Sequence, residues 1–179
     1  MFDEDYKEAL LRVNKMLKNY RWALSSSGAL KFYGLERDIN DIDLFVKKED
    51  MKDFSRQSGL EVKKVDKGDF NPYQAELKKN GIEVEMGSEI ERDSGLFRFD
   101  EEMAGRVRCF ELDGEKIPIL SFEDSLVLKA FLDREKDWKD LRNLPKRSLN
   151  LNYVKRRMEK TGCPEDNYRK IKRIFGDSE

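Results

Sequence analysis

The sequence predicts a mixed α/β (α+β) fold, a mixed β-sheet flanked by helices and followed by a helical C-terminal part. Three observations carry it. Short apolar runs bounded by turn residues recur between residues 22 and 119, two joined by Asn80-Gly81 and two by Asp113-Gly114, dipeptides that tolerate the positive φ of tight hairpins. Helical periodicity opens the chain, and from Ser121 onward it takes over. Hydrophobic residues make up 38% of the 179 positions and aromatics 11%, enough to build a core.

Each element follows from local pattern. Tyr6, Leu10, Val13, Leu17 and Tyr20 recur at helical spacing and predict an amphipathic helix over 3–20. Residues 22–25 read as a short strand entering a serine-rich turn, 28–33 as a short helix stopped at Gly34, and 41–47 as a strand. A helix over 50–58, closed by Gly59, and a strand over 60–65 follow. The hairpins are expected over 74–79 with 82–86, and over 106–112 with 115–119. Between them, 87–105 is long and polar for a connection, a length more typical of a functional loop. Ser121-Phe-Glu-Asp124 resembles a capping box, and Leu126, Leu128, Phe131 and Leu132 predict an apolar stripe. Helix is expected to continue over 133–144 until Pro145, then from a cap at Asn150 to near Gly162, and last over 165–175. We therefore expect an α/β core over 1–120 and a helical part over 121–179, packed together as one unit.

Composition excludes whole chemistries. The 36 Lys+Arg nearly cancel 37 Asp+Glu, which argues against broad electrostatic capture of nucleic acid but leaves room for a local basic patch. Charge this dense at near-zero net charge suits surface ion-pair networks, as in proteins from hot environments. There is no histidine, so no Ser-His-Asp or Cys-His nucleophile and no His-ligated zinc can form. Cys109 and Cys163 form no C-x-x-C and read as incidental thiols of a reducing compartment. The first residues lack the pattern of a signal peptide, and no apolar run approaches the roughly 18 residues of a membrane span. A soluble, cytoplasmic protein is expected.

Chemistry concentrates in residues 25–46. Asp41 and Asp43 are two apart on one strand, so their carboxylates share a face. The pair fits the start of an ordinary strand. It also fits a divalent-cation site, because two close carboxylates are costly without a proton or cation between them. A calcium loop over 38–49 fails, since Asp43 holds the position that needs glycine. Ile82-Glu83-Val84-Glu85-Met86 alternates, so either glutamate could supply a third carboxylate if its strand lies beside 41–47. Ser26-Ser27-Gly28 opens a helix, where backbone N–H groups and small hydroxyls bind phosphate, although serine is also a routine cap.

The order serine turn, Asp-x-Asp strand, apolar-acid-apolar strand resembles the DNA polymerase β-like nucleotidyltransferase superfamily. The stretches 120–129 and Arg134-Glu-Lys-Asp137-Trp-Lys-Asp140 are similar to small prokaryotic members of the abortive-infection toxin type. The resemblance implies a nucleotidyltransferase-like sheet and transfer of a nucleoside monophosphate from an NTP to a hydroxyl acceptor: an RNA end, a protein or a small molecule. It implies Mg²⁺ or Mn²⁺ on Asp41, Asp43 and Glu85, with Glu83 as alternate. It places Ser26, Ser27, Gly28, Lys129 and Arg37 toward the nucleotide phosphates. Lys129 could equally be a solvated lysine, Arg37 could pair with Asp38, and Asp137 and Asp140 are expected to brace the helical part. Ser26 where glycine is usual, Ile39 where a hydroxyl residue is usual and Glu85 in place of aspartate depart from the pattern. They motivate an alternative: a catalytically weak nucleotide- or partner-binding protein of the same fold, such as one half of a toxin–antitoxin pair.

Overall fold

The computed structural model describes residues 2–58, 61–65, 71–79 and 81–176. Helix α1 (Glu4–Met16) begins where the Asp3 carboxylate accepts the Tyr6 N–H at 2.7 Å, and it buries Tyr6, Leu10 and Val13 against the sheet. The strands are β1 (Trp22–Leu24), β2 (Asp41–Val46), β3 (Lys63–Lys64), β4 (Asn71–Lys79), β5 (Ile82–Arg92), β6 (Gly95–Arg98), β7 (Arg108–Leu112) and β8 (Glu115–Ile119). They form one mixed sheet in the order β3-β4-β5-β2-β1-β8-β7, with β6 pairing β5 off that path. β2 lies parallel to β5 and antiparallel to β1, while β1 runs parallel to β8. The helices between strands are α2 (Ser26–Phe32), α3 (Lys48–Ser58) and the single turn α4 (Glu101–Ala104). After β8 come α5 (Phe122–Leu132), α6 (Glu135–Arg142), α7 (Leu151–Thr161) and α8 (Glu165–Phe175). One buried cluster joins α1, the sheet and these last helices, and it includes Trp22, Tyr33 and Phe45.

Five expectations are corrected. Residues 87–105 are not a loop: β5 runs on to Arg92 and turns back as β6, which takes over the edge of β5 beyond Gly87, where β2 ends. The polar composition hid an alternation in which Phe97 and Phe99 are buried against Phe45 while Arg98 is exposed. Helix α5 carries no stripe; Asp124 through Leu132 are all buried, because α2, α6, α7 and α8 pack around it. Helix does not run on through 133–144. Asp133 adopts φ +55°, ends α5 and accepts the Trp138 indole N–H at 2.7 Å, and α6 starts afresh from Arg134. Among the described residues 61–65, the strand expected over 60–65 is only Lys63–Lys64, and α3 starts two residues earlier than expected. Gly59, Leu60 and Asn80 lie outside the described residues.

The turns behave as their chemistry dictates. Asp113 and Gly114 take φ +51° and +81°, the mirror-image turn that matches strand twist. Ser121 caps α5 by accepting the Asp124 N–H at 3.1 Å, and Asn150 caps α7 by accepting the Tyr153 N–H at 3.0 Å. Asn150→Ala is expected to cost about 1 kcal/mol in urea denaturation, the usual loss for an N-cap. Among the described residues, no helix is long and apolar enough to cross a membrane.

Candidate active site

The sheet's topology brings the acidic residues together. β2 emerges beside β5 in parallel register, so Asp41 lies opposite Glu83 and Asp43 opposite Glu85. Asp41, Asp43 and Glu85 line one cleft of about 200 Å³ together with Ser25, Ser26 and Ser27. Glu83 is exposed and outside the lining residues, so the alternate third carboxylate is the one the cleft excludes. The serine turn is tied to β2 through Ser25, whose N–H and hydroxyl both donate to the Asp43 carbonyl at 2.8 and 3.1 Å.

Asp43 is partly buried, and its carboxyl is pushed up to about 6. Burial is the main cause, followed by the charges of Asp41 and Glu85, while a hydrogen bond from the Ser26 hydroxyl and the Lys129 charge oppose the rise. Burial and neighbouring like charges both disfavour the ionised form. Among the described residues, no three acidic or thiol side chains converge closely enough to cage a metal ion. The oxygen-only donors thus suit a hard divalent cation by chemistry and mutual repulsion, but they share a wall of the cleft rather than a preassembled cage.

Ser26 occupies the turn at φ +50°, a left-handed conformation that favours glycine. We expect Ser26→Gly to stay within about 1 kcal/mol of the wild type, and Ser26→Val, β-branched at the same φ, to lose about 1–3 kcal/mol in urea denaturation. Gly28 lies deeper and does not line the cleft. A Cβ there would stand 2.6 Å from the Tyr6 hydroxyl oxygen, so this glycine lets α1 support the turn from beneath.

The second half of the site is a buried charge network that the sequence reading did not anticipate. Lys129 is 2% exposed, which excludes a solvated lysine. Its ammonium donates to Asp137 and Asp140, each at 2.9 Å, and to the Ser27 hydroxyl oxygen at 3.1 Å. Arg37 joins from the other side. Its Nε donates to Asp140 at 2.8 Å and one Nη to Ser27 at 2.5 Å, while the other Nη reaches only the backbone carbonyl of Asp38. Ser27 in turn donates to Asp140 at 3.1 Å. Its hydroxyl is therefore committed to holding two cations rather than open to a phosphate. Burial raises the carboxyls of Asp137 and Asp140, but their cationic partners outweigh it and hold both below the usual range. These two aspartates do more than brace α6: they pin Lys129 in the wall of the cleft. Arg134 and Lys136 also line the cleft, and Leu128, Leu132, Ile90 and Phe45 give it an apolar side.

A family model described as "nucleotidyl transferase of unknown function (DUF2204)" matches residues 6–175. The chain belongs to this family. Membership assigns this nucleotidyl transferase the reaction class of nucleotidyl transfer, and it agrees with the resemblance read from the motifs. Among solved structures, a candidate nucleotidyltransferase from Thermotoga maritima (TM1012) is 24% identical, covers 79% of this chain and 93% of its own, and superposes with a TM-score of 0.64. Its likeness bears out the mixed α/β nucleotidyltransferase fold. A candidate nucleotidyltransferase from H. pylori is 19% identical, with 97% and 82% of the two chains covered and a TM-score of 0.47. The antibiotic-resistance factor ANT(2'')-Ia is 13% identical, with 96% and 91% covered and a TM-score of 0.45. No match was found among curated proteins.

Proposed function

We propose that this nucleotidyl transferase moves a nucleoside monophosphate from an NTP to a hydroxyl acceptor, in a reaction that depends on a divalent cation. The observation that supports it most is the gathering of Asp41, Asp43 and Glu85 beneath the serine turn in one cleft. These carboxylates would hold Mg²⁺ or Mn²⁺, which when bound neutralises the triphosphate and polarises the reacting oxygens. One of these carboxylates takes the acceptor's proton, since the chain has no histidine to do so. The acceptor oxygen bonds to the α-phosphorus, the bond to the β-phosphate oxygen breaks, and pyrophosphate leaves. Lys129 and Arg37, pinned by Asp137 and Asp140, present fixed positive charge to the phosphates. Ser26 keeps Asp43 oriented.

Thermal-shift titration with each NTP, with and without Mg²⁺, followed by a pyrophosphate-release assay across RNA, protein and small-molecule acceptors, tests this reading. A shift that requires both NTP and metal, together with pyrophosphate release, is the expected result. A shift without release across those acceptors favours the alternative of a binding protein on the same fold, and no shift with any triphosphate overturns both.

A further inference from the structure

Charge is segregated along this chain despite a net of −1: residues 1–145 hold 26 Lys/Arg against 32 Asp/Glu, whereas 146–176 hold ten against three. The fold ties that basic segment, through Lys170, to Asp133, which lies between the cleft-lining Leu132 and Arg134. Helix α8 is tied to α6 and to the residues that flank it. At the cleft end, the Lys170 ammonium lies 3.8 Å from Asp133 and 4.8 Å from the Trp138 ring centre. At the far end, Lys146 donates to the carbonyl of Ile174 and lies over the Phe175 ring. Lys136 lines the cleft itself, and Lys139 follows it at i+3 on α6, with Arg173 at i+3 from Lys170 on α8.

All five side chains are exposed. Among the described residues, Lys136, Lys139, Lys146 and Arg173 have no carboxylate partner, in contrast to Lys129, Arg37 and Arg134 of the cleft wall. The aspartates of α6 face inward: Asp137 and Asp140 are buried on Lys129. The surface of the helix pair therefore presents exposed cations from Lys136 in the cleft wall, through Lys139, to Arg173 and Lys146, of which Lys146 is held only by a backbone carbonyl and the Phe175 ring; Glu135, also exposed on α6, pairs with Arg142.

We infer that this row is a track for a single-stranded nucleic acid whose terminal hydroxyl is the acceptor. The inference rests on the nucleotidyl-transfer reading and names the acceptor class. A row of spaced cations suits a linear polyanion, and a terminal hydroxyl gives that polyanion the nucleophile that transfer requires. An anionic lipid surface would meet the charge but offers no such strand end. The same row disfavours a polycationic small acceptor at the mouth of the cleft.

The test uses the full chain and a fluorescently labelled oligoribonucleotide of mixed sequence, with anisotropy read from about 50 to 200 mM salt. The variant carries Lys139→Glu, Lys146→Glu and Arg173→Glu, none of which lies in the cleft. Wild type is expected to bind with a steep salt dependence. The variant should bind about tenfold or more weakly, with a salt slope smaller by about 2, as three phosphate contacts on a single strand contribute. Its circular dichroism and its thermal shift with NTP and Mg²⁺ should match the wild type. Binding is measured without nucleotide, so a weakened variant supports the track even if no transfer is found. Absence of salt-dependent strand binding, equal binding by the variant, or capture of anionic vesicles in place of the strand overturns it.

Discussion

Asp43→Asn is expected to abolish nucleotidyl transfer while making the metal-free protein more stable at neutral pH. The two effects share one cause. The Asp43 carboxyl is held at about 6 by burial and by the charges of Asp41 and Glu85, above the unfolded value of 3.8. A carboxylate raised in the folded state binds more protons there than in the unfolded chain between those two values. Stability of the wild type, measured in chelator, should therefore fall as pH rises from about 4 to about 6 and stay lower above that. A two-unit shift corresponds to about 3 kcal/mol; partial exposure reduces the expected effect to about 1–2 kcal/mol. Asparagine removes the charge and should flatten that slope. Loss of a ligand oxygen should lower transfer about a thousandfold or more, about 4 kcal/mol of barrier. Urea denaturation against pH, with a labelled-nucleotide assay on the same samples, checks both. Unchanged transfer in the variant would remove Asp43 from the chemistry. A variant less stable than wild type at pH 7 would mean that the acidic cluster is compensated in some other way.

What could be read from the sequence and what could not divide along physical lines. The Asp41–Val46 strand, the Asp113-Gly114 hairpin and the Asn150 cap were legible because each depends on a few adjacent residues. That Asp43 faces Glu85 depended on β2 lying parallel to β5, a non-local pairing that alternation in either strand cannot specify. Residues 87–105 misled because hairpins with one wet face are rich in Glu and Arg, and the buried Phe97 and Phe99 are spaced for a strand among residues that favour loops. Lys129 misled most. Helical periodicity treats a charged residue as a surface marker, whereas here two aspartates from the next helix follow it into the interior.

That burial yields the other large prediction. In Lys129→Met, the volume is nearly kept, but Asp137 and Asp140 lose the cation they share. Asp137 retains Arg134 and Asp140 retains Arg37, both from partly exposed positions. Removing one partner of a buried charge group costs about 3–5 kcal/mol, and the remaining arginines place the expected loss near the lower figure. Its pH dependence has a definite sign. Both aspartates titrate below the usual carboxylate range in the native protein, so the stability they confer is complete above the unfolded value and is lost as pH falls through their lowered values. The gap between wild type and variant should therefore be widest near pH 7 and narrow below about pH 4, where the carboxylates of both proteins take up protons. Adding Asp137→Asn and Asp140→Asn to Lys129→Met should recover much of the loss at neutral pH, because no buried charge is then left unpaired. If the triple variant is no more stable than Lys129→Met alone, the cost lies in packing around α5, and the charge network is not what holds α6 against the cleft.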